Sequence, residues 1–470
     1  MRERSIAVIG TGYVGLTTGA SMAALGHRVV CADADAGKIE RLRRAEVDIL
    51  EPDLPELVRD GIAAGRLSFV RDTTAAVEGA EVVFLCLPTP MGAGGAADLA
   101  AVEAVAGDIR AALPPGCVVV NKSTVPVGTS ERVAALLDRS DVAVVSNPEF
   151  LREGRAVHDF LHPDRIVVGS ADDDAARLVA DLYADLDAPV VLTDAGSAEL
   201  AKYAANCFLA MKLSYANSLA TLCETFGADI RDVTEAIGHD PRIGASYLQP
   251  GPGWGGSCLP KDTHALLTVC EQAGVDFPLL RATIDTNEAH QDRLVARIAD
   301  AHRTTEATGT TGTTEAAEAN ESAGKTDATD ATGSAGDGDS LRGVRLALLG
   351  LAFKAGTSDL RDSPALAVAR RLRDRGAELV AYDPALTGQH PAALDDLVTV
   401  VDTPEEALKG AGACVVLTEW PQFRELDWES LADLLEVPTV YDYRNVLEPE
   451  RLARAGLSWQ GIGRPLAVAG

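Results

Sequence analysis

The stretch GWGGSCLPKD, residues 253–262, holds a cysteine where it could act as a nucleophile. Cys258 comes just before a predicted helix with Pro260 in its first turn, and the positive end of a helix dipole favours thiolate over thiol. Asp262, four residues on, falls on the same face. The neighbouring glycines let the chain wrap closely around a ligand. The alternative is a flexible surface turn that happens to contain a cysteine.

A second pair of candidate groups lies in a long predicted helix, SAELAKYAANCFLAMKLSYAN, with Ser197 as its cap. Lys202 and Asn206 are spaced i, i+4 and share one face, where a charge and an amide could together hold an oxyanion. A solvated lysine beside a packing asparagine is the alternative. Glu149 and Glu153, in NPEFLREG after a predicted strand, either act as bases at the edge of a sheet or are solvated.

The segment IAVIGTGYVG carries Gly10, Gly12 and Gly15 between a predicted strand and a predicted helix. Glycines at this spacing allow a tight turn and a close approach of the backbone to a pyrophosphate, which the helix N-terminus attracts. A second predicted strand ends at Asp33, where a carboxylate can hold the ribose hydroxyls and repel a 2′-phosphate. Asp35 falls beyond that strand end. The pattern therefore predicts an NAD site rather than a merely tight turn.

The elements that must position these groups alternate short apolar runs with helix-length segments, first before residue 196 and again after the middle of the chain. Near-continuous β-branched runs indicate parallel sheets covered on both faces. Residues 303–340 hold no aromatic and almost no large aliphatic side chain, which is typical of a disordered linker. We predict an α/β fold with two doubly wound Rossmann-like domains joined by a helical region. The predicted parts are 1–195, a helical centre 196–302, an insert 303–341 and 342–470.

The composition excludes several classes of function. A formal charge of −28 over 470 residues would repel nucleic acid and anionic membranes. No apolar run reaches the roughly 18 residues of a membrane helix, and MRERSIAVIG leads straight into a strand, so we expect a cytoplasmic protein. About eight of the 42 basic residues are lysine, which suggests a halophilic source. Neither the eight cysteines nor His158 and His162 have metal-site spacing, so no metal is predicted.

Six motifs in order resemble the nucleotide-sugar 6-dehydrogenases, and most closely the branch that uses UDP-glucose. They are GTGYVGL, STVPVGT, NPEFLREG, ELAKYAANCFLAMKLSYAN, GWGGSCLPKD and FKAGTSDLRDSP. The resemblance covers nearly the whole chain outside the insert. It implies a four-electron oxidation of the sugar C6 alcohol to a carboxylate, with two NAD reduced per turnover. Cys258 would carry the half-oxidised sugar as a thiohemiacetal and then as a thioester.

The resemblance also implies roles for individual residues. Lys202 and Asn206 would stabilise the oxyanion, Asp262 would orient water and transfer protons, Glu149 would assist hydrolysis of the thioester, and Thr124 would position the water. The implied cofactor-binding residues are Gly10, Gly12, Tyr13, Val14, Gly15, Asp33, Lys38, Thr89, Thr124, Glu153, Lys261 and Arg361. The implied substrate-binding residues are Glu149, Phe150, Leu151, Arg152, Lys202, Asn206, Arg242, Tyr247, Gly255, Lys354 and Arg444.

The same resemblance implies a homodimer formed through the central helix, with Arg242 reaching the site of the other subunit. The GLAFKAG segment lacks the middle glycine of a dinucleotide loop, so we expect the second α/β domain to bind the UDP portion instead of a second NAD. Three alternatives stay open: GDP-mannose or a UDP-N-acetylhexosamine as the sugar, a two-electron hydroxyacid dehydrogenase without a nucleophilic cysteine, and a catalytically inactive NAD-binding scaffold.

Overall fold

The computed structural model describes residues 2–308, 340–389 and 391–465. The chain divides into two compact units, Met1–Cys207 with Lys261–Phe277, and Phe208–Pro260 with Pro278–Gly470. The predicted helical centre, 196–302, is shared between the two units, and the four-part division stays a prediction.

An eight-stranded sheet forms the first unit, with strand order β3-β2-β1-β4-β5-β6-β7-β8. The first six strands follow the doubly wound order of dinucleotide-binding folds, which places a ligand crevice at the carboxyl ends of β1 and β4. The strands are β1 Ser5–Ile9, β2 Arg28–Ala32, β3 Leu67–Val70, β4 Val82–Leu85, β5 Val118–Asn121, β6 Ala143–Ser146, β7 Ile166–Gly169 and β8 Val190–Thr193. The helices are α1 Tyr13–Ala24, α2 Ala36–Arg43, α3 Leu54–Ala63, α4 Thr73–Val77, α5 Ala100–Ile109, α6 Thr129–Leu137, α7 Ala156–Leu161 and α8 Asp173–Asp181.

The prediction of a parallel sheet is wrong at one position, because β6 and β7 pair antiparallel through Ser146 and Gly169. The other strand pairs of this sheet are parallel. An antiparallel neighbour can be entered from the edge at which the previous strand ended, so no crossover over the sheet is needed. The connecting segment, which contains NPEFLREG, therefore stays at the carboxyl edge of β6.

Both faces of this sheet are covered, as the apolar runs predicted. Alternate residues of β1 belong to two separate cores: Ile6 and Val8 pack with Leu16 of α1, while Ala7 and Ile9 pack with Val102 of α5. Because successive strand residues point to opposite faces, a strand buried on both sides must be apolar throughout.

Four helices follow without an intervening strand in the described residues 195–308. They are α9 Ala195–Phe226, α10 Ile230–Gly238, α11 Leu259–Gln272 and α12 Pro278–Thr308. The predicted cap at Ser197 is wrong, because α9 begins earlier and the Asp194 carboxylate accepts the Ser197 backbone N–H at 2.8 Å. Aspartate caps a helix as well as serine does, and it stands closer to the end of β8.

The predicted insert begins too early, because α12 continues to Thr308, six residues beyond residue 302. The rest of that prediction, residues 309–339, lies outside the described residues. Residues 340–465, apart from 390, belong to the second unit, which holds a six-stranded parallel sheet of order β11-β10-β9-β12-β13-β14.

Both faces of this second sheet are also covered, since Leu346 and Leu348 pack in one core and Ala347 and Leu349 in another. The strands are β9 Arg345–Leu349, β10 Glu378–Tyr382, β11 Thr399–Val401, β12 Ala413–Val416, β13 Thr439–Asp442 and β14 Ser458–Gly461. The helices are α13 Pro364–Asp374, α14 Pro404–Leu408, α15 Gln422–Glu425, α16 Trp428–Ala432 and α17 Pro449–Arg454.

None of the helices in the described residues combines the length and the apolar character of a membrane span.

Candidate active site

The loop between β1 and α1 has the geometry of a dinucleotide-binding turn. Gly10 has a φ of 94°, and a Cβ built on Gly15 would stand 1.8 Å from the Gly10 carbonyl oxygen, so both positions require glycine. Gly12 differs, because a Cβ built there meets no heavy atom of the described chain within 4 Å, apart from its own neighbours in sequence. The space beside Gly12, at the start of α1, fits a pyrophosphate. Tyr13 and Val14 form the first turn of that helix.

Asp33 follows directly after β2 and is held by its surroundings. One carboxylate oxygen accepts the Thr11 backbone N–H at 2.9 Å and the Thr11 hydroxyl at 2.7 Å, and the Lys38 ammonium lies 3.3 Å away. The other accepts the Asp35 N–H at 3.0 Å. Partial burial opposes ionisation, but the hydrogen bonds from Asp35 and Thr11 and the charge of Lys38 prevail and hold the pKa of Asp33 below its ordinary value. Asp35 instead caps α2.

Glu149 and Lys202 form a buried ion pair at 3.0 Å. Glu149 follows β6 and Lys202 lies in the part of α9 that belongs to the first unit. Burial alone would raise the pKa of Glu149, but the Lys202 ammonium and the Leu151 backbone N–H, at 2.6 Å, hold that pKa below its ordinary value. Glu149 is therefore a carboxylate at neutral pH. Phe150 lies between two cations, with the Arg165 guanidinium 3.6 Å and the Lys202 ammonium 5.3 Å from its ring centre.

Asn206 lies one helical turn after Lys202 and contacts Asp262. Its amide nitrogen donates to the Asp262 carboxylate at 2.5 Å, and the Lys261 ammonium lies 2.6 Å from the other carboxylate oxygen. Asp262 is 1% exposed. Lys202 and Asn206, spaced i, i+4 on α9, thus both contact buried carboxylates rather than solvent, and their role as an oxyanion-holding pair stays a prediction.

The remaining predicted residues of the first unit cluster near the carboxyl ends of the strands. Thr89 donates its hydroxyl to the Thr124 carbonyl at 2.9 Å, and both residues are buried. Arg152 is exposed and makes three bonds of 2.7 to 3.0 Å to Asp159, while Glu153 is half-buried beside it.

Cys258 belongs to the second unit and stands directly before α11, as predicted. Its sulfur lies 3.7 Å from the Ser257 hydroxyl and the residue is partly exposed. Three buried cysteines differ from it in exposure: burial raises the pKa of Cys86, Cys117 and Cys207 to about 12, so these thiols stay protonated.

The loop before Cys258 is fixed rather than flexible. Trp254 exchanges two hydrogen bonds with the Asn287 side chain, at 2.9 and 3.1 Å, and its indole N–H donates to Ser214 at 2.9 Å. A Cβ built on Gly255 would stand 2.1 Å from the Asp362 carbonyl oxygen, while Gly256 donates to that same oxygen at 3.0 Å. The alternative of a flexible turn is therefore wrong, because glycine allows the loop to pack tightly against its own unit.

The other predicted residues of the second unit differ in how firmly they are held. The Arg444 guanidinium donates to the carbonyl oxygens of Leu417 and Phe353 at 2.8 and 3.0 Å. Tyr247 has a φ of 63°, which is uncommon for a residue other than glycine. Arg242 and Arg361 are exposed, and each forms an ion pair within its own loop, Arg242 with Asp240 and Arg361 with Asp359. The Lys354 ammonium lies 5.4 Å from the centre of the Phe353 ring.

The sequence analysis missed a buried lysine in the motif NKSTVPVG. Lys122 directly follows β5, is 5% exposed and donates to Asn147 at 3.1 Å and to Tyr183 at 3.3 Å. Burial lowers its pKa to about 8. A lysine next to an apolar strand, followed by serine and threonine, was the available signal. The missed Arg165, which stacks on Phe150, follows a proline and an aspartate and reads as an ordinary surface arginine.

Within the described parts of the chain, no group of three His, Cys, Asp or Glu side chains is placed to hold a metal ion. His158 and His162 lie with ring centres 5.0 Å apart.

Comparison with known proteins accounts for most of the chain. Residues 4–187 match the NAD binding domain of the UDP-glucose/GDP-mannose dehydrogenase family, residues 196–289 its central domain and residues 347–449 its UDP binding domain. The Rhizobium meliloti UDP-glucose 6-dehydrogenase is 40% identical over 98% of this chain and 99% of its own length. The Bacillus subtilis UDP-glucose 6-dehydrogenase TuaD is 38% identical over 99% of this chain and 94% of its own.

A solved structure of a UDP-glucose dehydrogenase from the archaeon Pyrobaculum islandicum superimposes with a TM-score of 0.82 at 36% identity, and covers 99% of this chain and 98% of the other. The glycine loop with room for a pyrophosphate, the ordered Asp33 and the three matched domains lead to one assignment. The chain belongs to the UDP-glucose/GDP-mannose dehydrogenase family of NAD-dependent oxidoreductases.

Proposed function

We propose that this protein oxidises UDP-glucose to UDP-glucuronate with two NAD, through a covalent intermediate on Cys258. The observation that carries the proposal is the pair of buried contacts on one face of α9, Lys202 to Glu149 and Asn206 to Asp262, with Asp262 in the first turn of the helix that Cys258 precedes. The names of the related enzymes support UDP-glucose as the sugar.

NAD, when bound, accepts a hydride from the sugar C6 in each of the two oxidations. Gly10, Gly12 and Gly15 would hold its pyrophosphate, and Asp33 its ribose hydroxyls. The carboxylate of Asp33 would also repel the extra phosphate of NADP, which is why we expect NAD to be preferred. Tyr13, Val14, Lys38, Thr89, Thr124, Glu153, Lys261 and Arg361 are proposed as the remaining cofactor contacts.

In the first oxidation, the C6 hydroxyl gives its proton to a water molecule that Asp262 orients, and a hydride leaves C6, which yields an aldehyde. The ammonium of Lys202 and the amide of Asn206 stabilise the oxygen as its negative charge develops. Burial strengthens this effect, because both groups are largely withdrawn from water and keep their orientation before the reaction starts.

In the second oxidation, the Cys258 thiolate adds to the aldehyde carbon and forms a carbon–sulfur bond, and the aldehyde oxygen becomes the thiohemiacetal oxygen. Loss of a hydride from the same carbon yields a thioester. The position of Cys258 directly before α11 favours the thiolate, since the dipole of that helix is positive at its start.

Hydrolysis completes the cycle. Glu149 takes a proton from a water molecule held near Thr124, the water oxygen attacks the thioester carbonyl, and the carbon–sulfur bond breaks to release the carboxylate and the thiol. Glu149 is ionised at neutral pH and can therefore accept this proton. Asp262 orients the water and shares in the proton transfers.

The second unit would hold the nucleotide part of the substrate, since residues 347–449 match a UDP binding domain. Phe150, Leu151, Arg152, Tyr247, Gly255, Lys354 and Arg444 are the proposed contacts, besides Glu149, Lys202 and Asn206. Two backbone carbonyl oxygens hold the Arg444 guanidinium, and a guanidinium matches a diphosphate in shape and charge.

We also propose a homodimer built on α9. Phe208, Tyr215 and Leu222 recur at seven-residue spacing along that helix and are 56%, 56% and 50% exposed. Three large apolar side chains in one exposed row are typical of a helix that packs against another helix. Arg242, exposed on its loop, is proposed to reach the partner's site. A reducing compartment, the cytoplasm, is proposed because a nucleophilic thiol must stay reduced.

The experiment that tests the activity is a panel of UDP-glucose, GDP-mannose and UDP-N-acetylhexosamines, with NADH counted per mole of product. UDP-glucose should react with the highest kcat/KM and yield two NADH per acid. Cys258→Ala should retain at most the first oxidation and lose acid formation by more than about a thousandfold. One NADH per product with an unaffected alanine variant would favour a hydroxyacid dehydrogenase, and no turnover with any sugar would favour a scaffold.

A further inference from the structure

We propose that Lys122 is a positioning residue for Glu149: its ammonium group fixes the chain at Asn147, two residues before Glu149, and so holds the Glu149 carboxylate in place for hydrolysis of the thioester. This inference rests on the role proposed above for Glu149. None of the motif-based assignments includes Lys122, and the comparisons give it no role.

Four hydrogen bonds fix Asn147 in place. Its amide oxygen accepts two hydrogen bonds, from Lys122 at 3.1 Å and from the Tyr183 hydroxyl at 2.6 Å. Its amide nitrogen donates to the Val167 carbonyl at 2.7 Å, and its backbone N–H donates to the Asn121 carbonyl at 2.9 Å. These four bonds leave the residue a single orientation.

That orientation passes to Glu149, because only Pro148 separates the two residues and proline fixes one of the intervening backbone torsions. A base must stand within hydrogen-bond reach of the water it activates, and an error of about 1 Å can cost roughly a hundredfold in rate. Lys122 thus acts on the reaction through the direction in which this segment leaves β6.

The charge of Lys122 also acts on Glu149. Lys122 is buried, and its two hydrogen-bond partners, Asn147 and Tyr183, are neutral, so its charge is not cancelled by direct contact. The rings of Tyr183 and Phe160 lie 5.5 and 5.9 Å from the ammonium and supply further weak stabilisation. Its field therefore reaches Glu149, whose pKa it lowers together with Lys202.

Lys122 can also change its charge near neutral pH. Burial, with a smaller contribution from the charge of Lys202, lowers its pKa to about 8, although the Glu149 carboxylate opposes this shift. A cavity of about 110 Å³, large enough for a few water molecules, borders the lysine and allows proton exchange. The titratable or charged groups around the lysine and this cavity are Cys86, Glu149, Arg152, His158, Asp159, His162, Asp164, Arg165, Tyr183 and Lys202. Burial keeps the thiol and the phenol protonated, so neither supplies a compensating charge.

The test uses Lys122→Met, which keeps the length of the side chain and removes its charge. Mixed with NAD and UDP-glucose and quenched with acid, this variant should accumulate the acyl-enzyme on Cys258, seen by intact-protein mass spectrometry. It should form the first NADH at the wild-type rate and release acid about tenfold to a hundredfold more slowly. Lys409→Met, which removes a charge from an exposed loop of the second unit, is the matched control and should stay within twofold of wild type.

The pH profile separates positioning from a merely structural role. In the wild type the hydrolysis rate should fall as the pH rises through about 8, since the Lys122 ammonium loses a proton there and its hydrogen bond to Asn147 weakens, and Lys122→Met should lack this decline. Asn147→Asp retains the lysine and places a carboxylate 3.1 Å from it, so the decline should move to higher pH. This variant also serves if the methionine variant does not fold.

A methionine variant that hydrolyses the acyl-enzyme at the wild-type rate, or an aspartate variant with an unmoved decline, would overturn the role of Lys122. The absence of any acyl-enzyme in wild type and variants alike would instead overturn the thioester on which the proposed function depends. The two failures are therefore distinguishable.

Discussion

Two glycine-rich loops, one in each unit, use glycine for opposite purposes. In the loop of the first unit, the middle position, Gly12, faces open space, and a methyl group added there would touch nothing in the described chain. In the loop of the second unit, a methyl group on Gly255 would stand 2.1 Å from a backbone carbonyl of that unit, and one on Gly256 would stand 2.7 Å from the Phe353 ring.

The contrast between Gly12 and Gly255 shows that a glycine in a motif can leave room either for a ligand or for another part of the protein. Gly12 leaves a place for a pyrophosphate, so its side chain is limited by what binds. Gly255 lets the chain pack against Asp362, so the fold itself limits the size of the side chain at this position. The close packing holds the nearby Cys258 in a fixed position. Substitutions in the two loops should therefore separate binding from folding.

The largest effect is expected from Gly255→Ala. The added methyl group cannot avoid the Asp362 carbonyl without moving the loop, so we expect a destabilisation of about 3 kcal/mol and a loss of acid formation. Thermal melting of the free enzyme measures it. A variant that melts like the wild type would show that the loop can relax without cost, and the contrast with Gly12 would disappear.

Gly12→Ala should have the opposite effect, on binding rather than on folding. The methyl group has space in the free protein but would occupy the place of the pyrophosphate, so melting should not change while the Kd for NAD rises about a hundredfold, or about 2.7 kcal/mol. Isothermal titration calorimetry gives this constant, with UDP-glucose as the control ligand. Equal weakening toward both ligands would mean that the whole site had changed.

Asp33→Asn tests the residue that stands opposite the first loop. Removing the negative charge should weaken NAD by about tenfold and narrow the preference over NADP. Because the folded-state pKa of Asp33 is lowered, its ionisation stabilises the protein above the ordinary carboxylate range near pH 4, and this stabilisation is lost as the pH falls through the folded-state value. The difference in melting temperature between wild type and variant should thus be present at pH 7 and shrink toward pH 3.

Trp254→Phe is expected to have the smallest effect. It removes the indole N–H that donates to Ser214 at 2.9 Å and leaves a smaller aromatic ring, while the two backbone bonds to Asn287 stay. We expect about 1 kcal/mol of destabilisation and little change in the rate of NADH formation. Ser214→Ala, which removes the same bond from the other side, is the matched control, and the two losses should not add.

The regular parts of the fold could be predicted because their signals are local. The apolar runs of β1, β2, β4 and β5 predicted buried strands, and the glycine spacing predicted the turn before α1. The strands β3, β8, β11 and β14 were missed, since they are the edge strands of the two sheets and lack the long continuous apolar runs of strands buried on both faces. The reversal at β7 was missed because apolar content does not encode the direction in which a strand enters the sheet.

The same division holds for the candidate site. Lys202, Asn206 and Asp262 were identified from spacing and resemblance, because helical periodicity turns sequence distance into a common face. Their actual partners were not predictable: Glu149 and Asp262 come from segments more than fifty residues away from Lys202 and Asn206 along the chain. Nor could the sequence predict that Lys122 is buried beside Asn147.

The residues that carry the chemistry, and the helices and loops on which they lie, could be predicted from the sequence, because glycine, capping and helical periodicity act over a few residues. The tertiary structure was needed to show which charged groups are in contact, how deeply they are buried and therefore which protonation states they have. Those properties depend on distance and dielectric between segments far apart in the chain, and folding alone sets them.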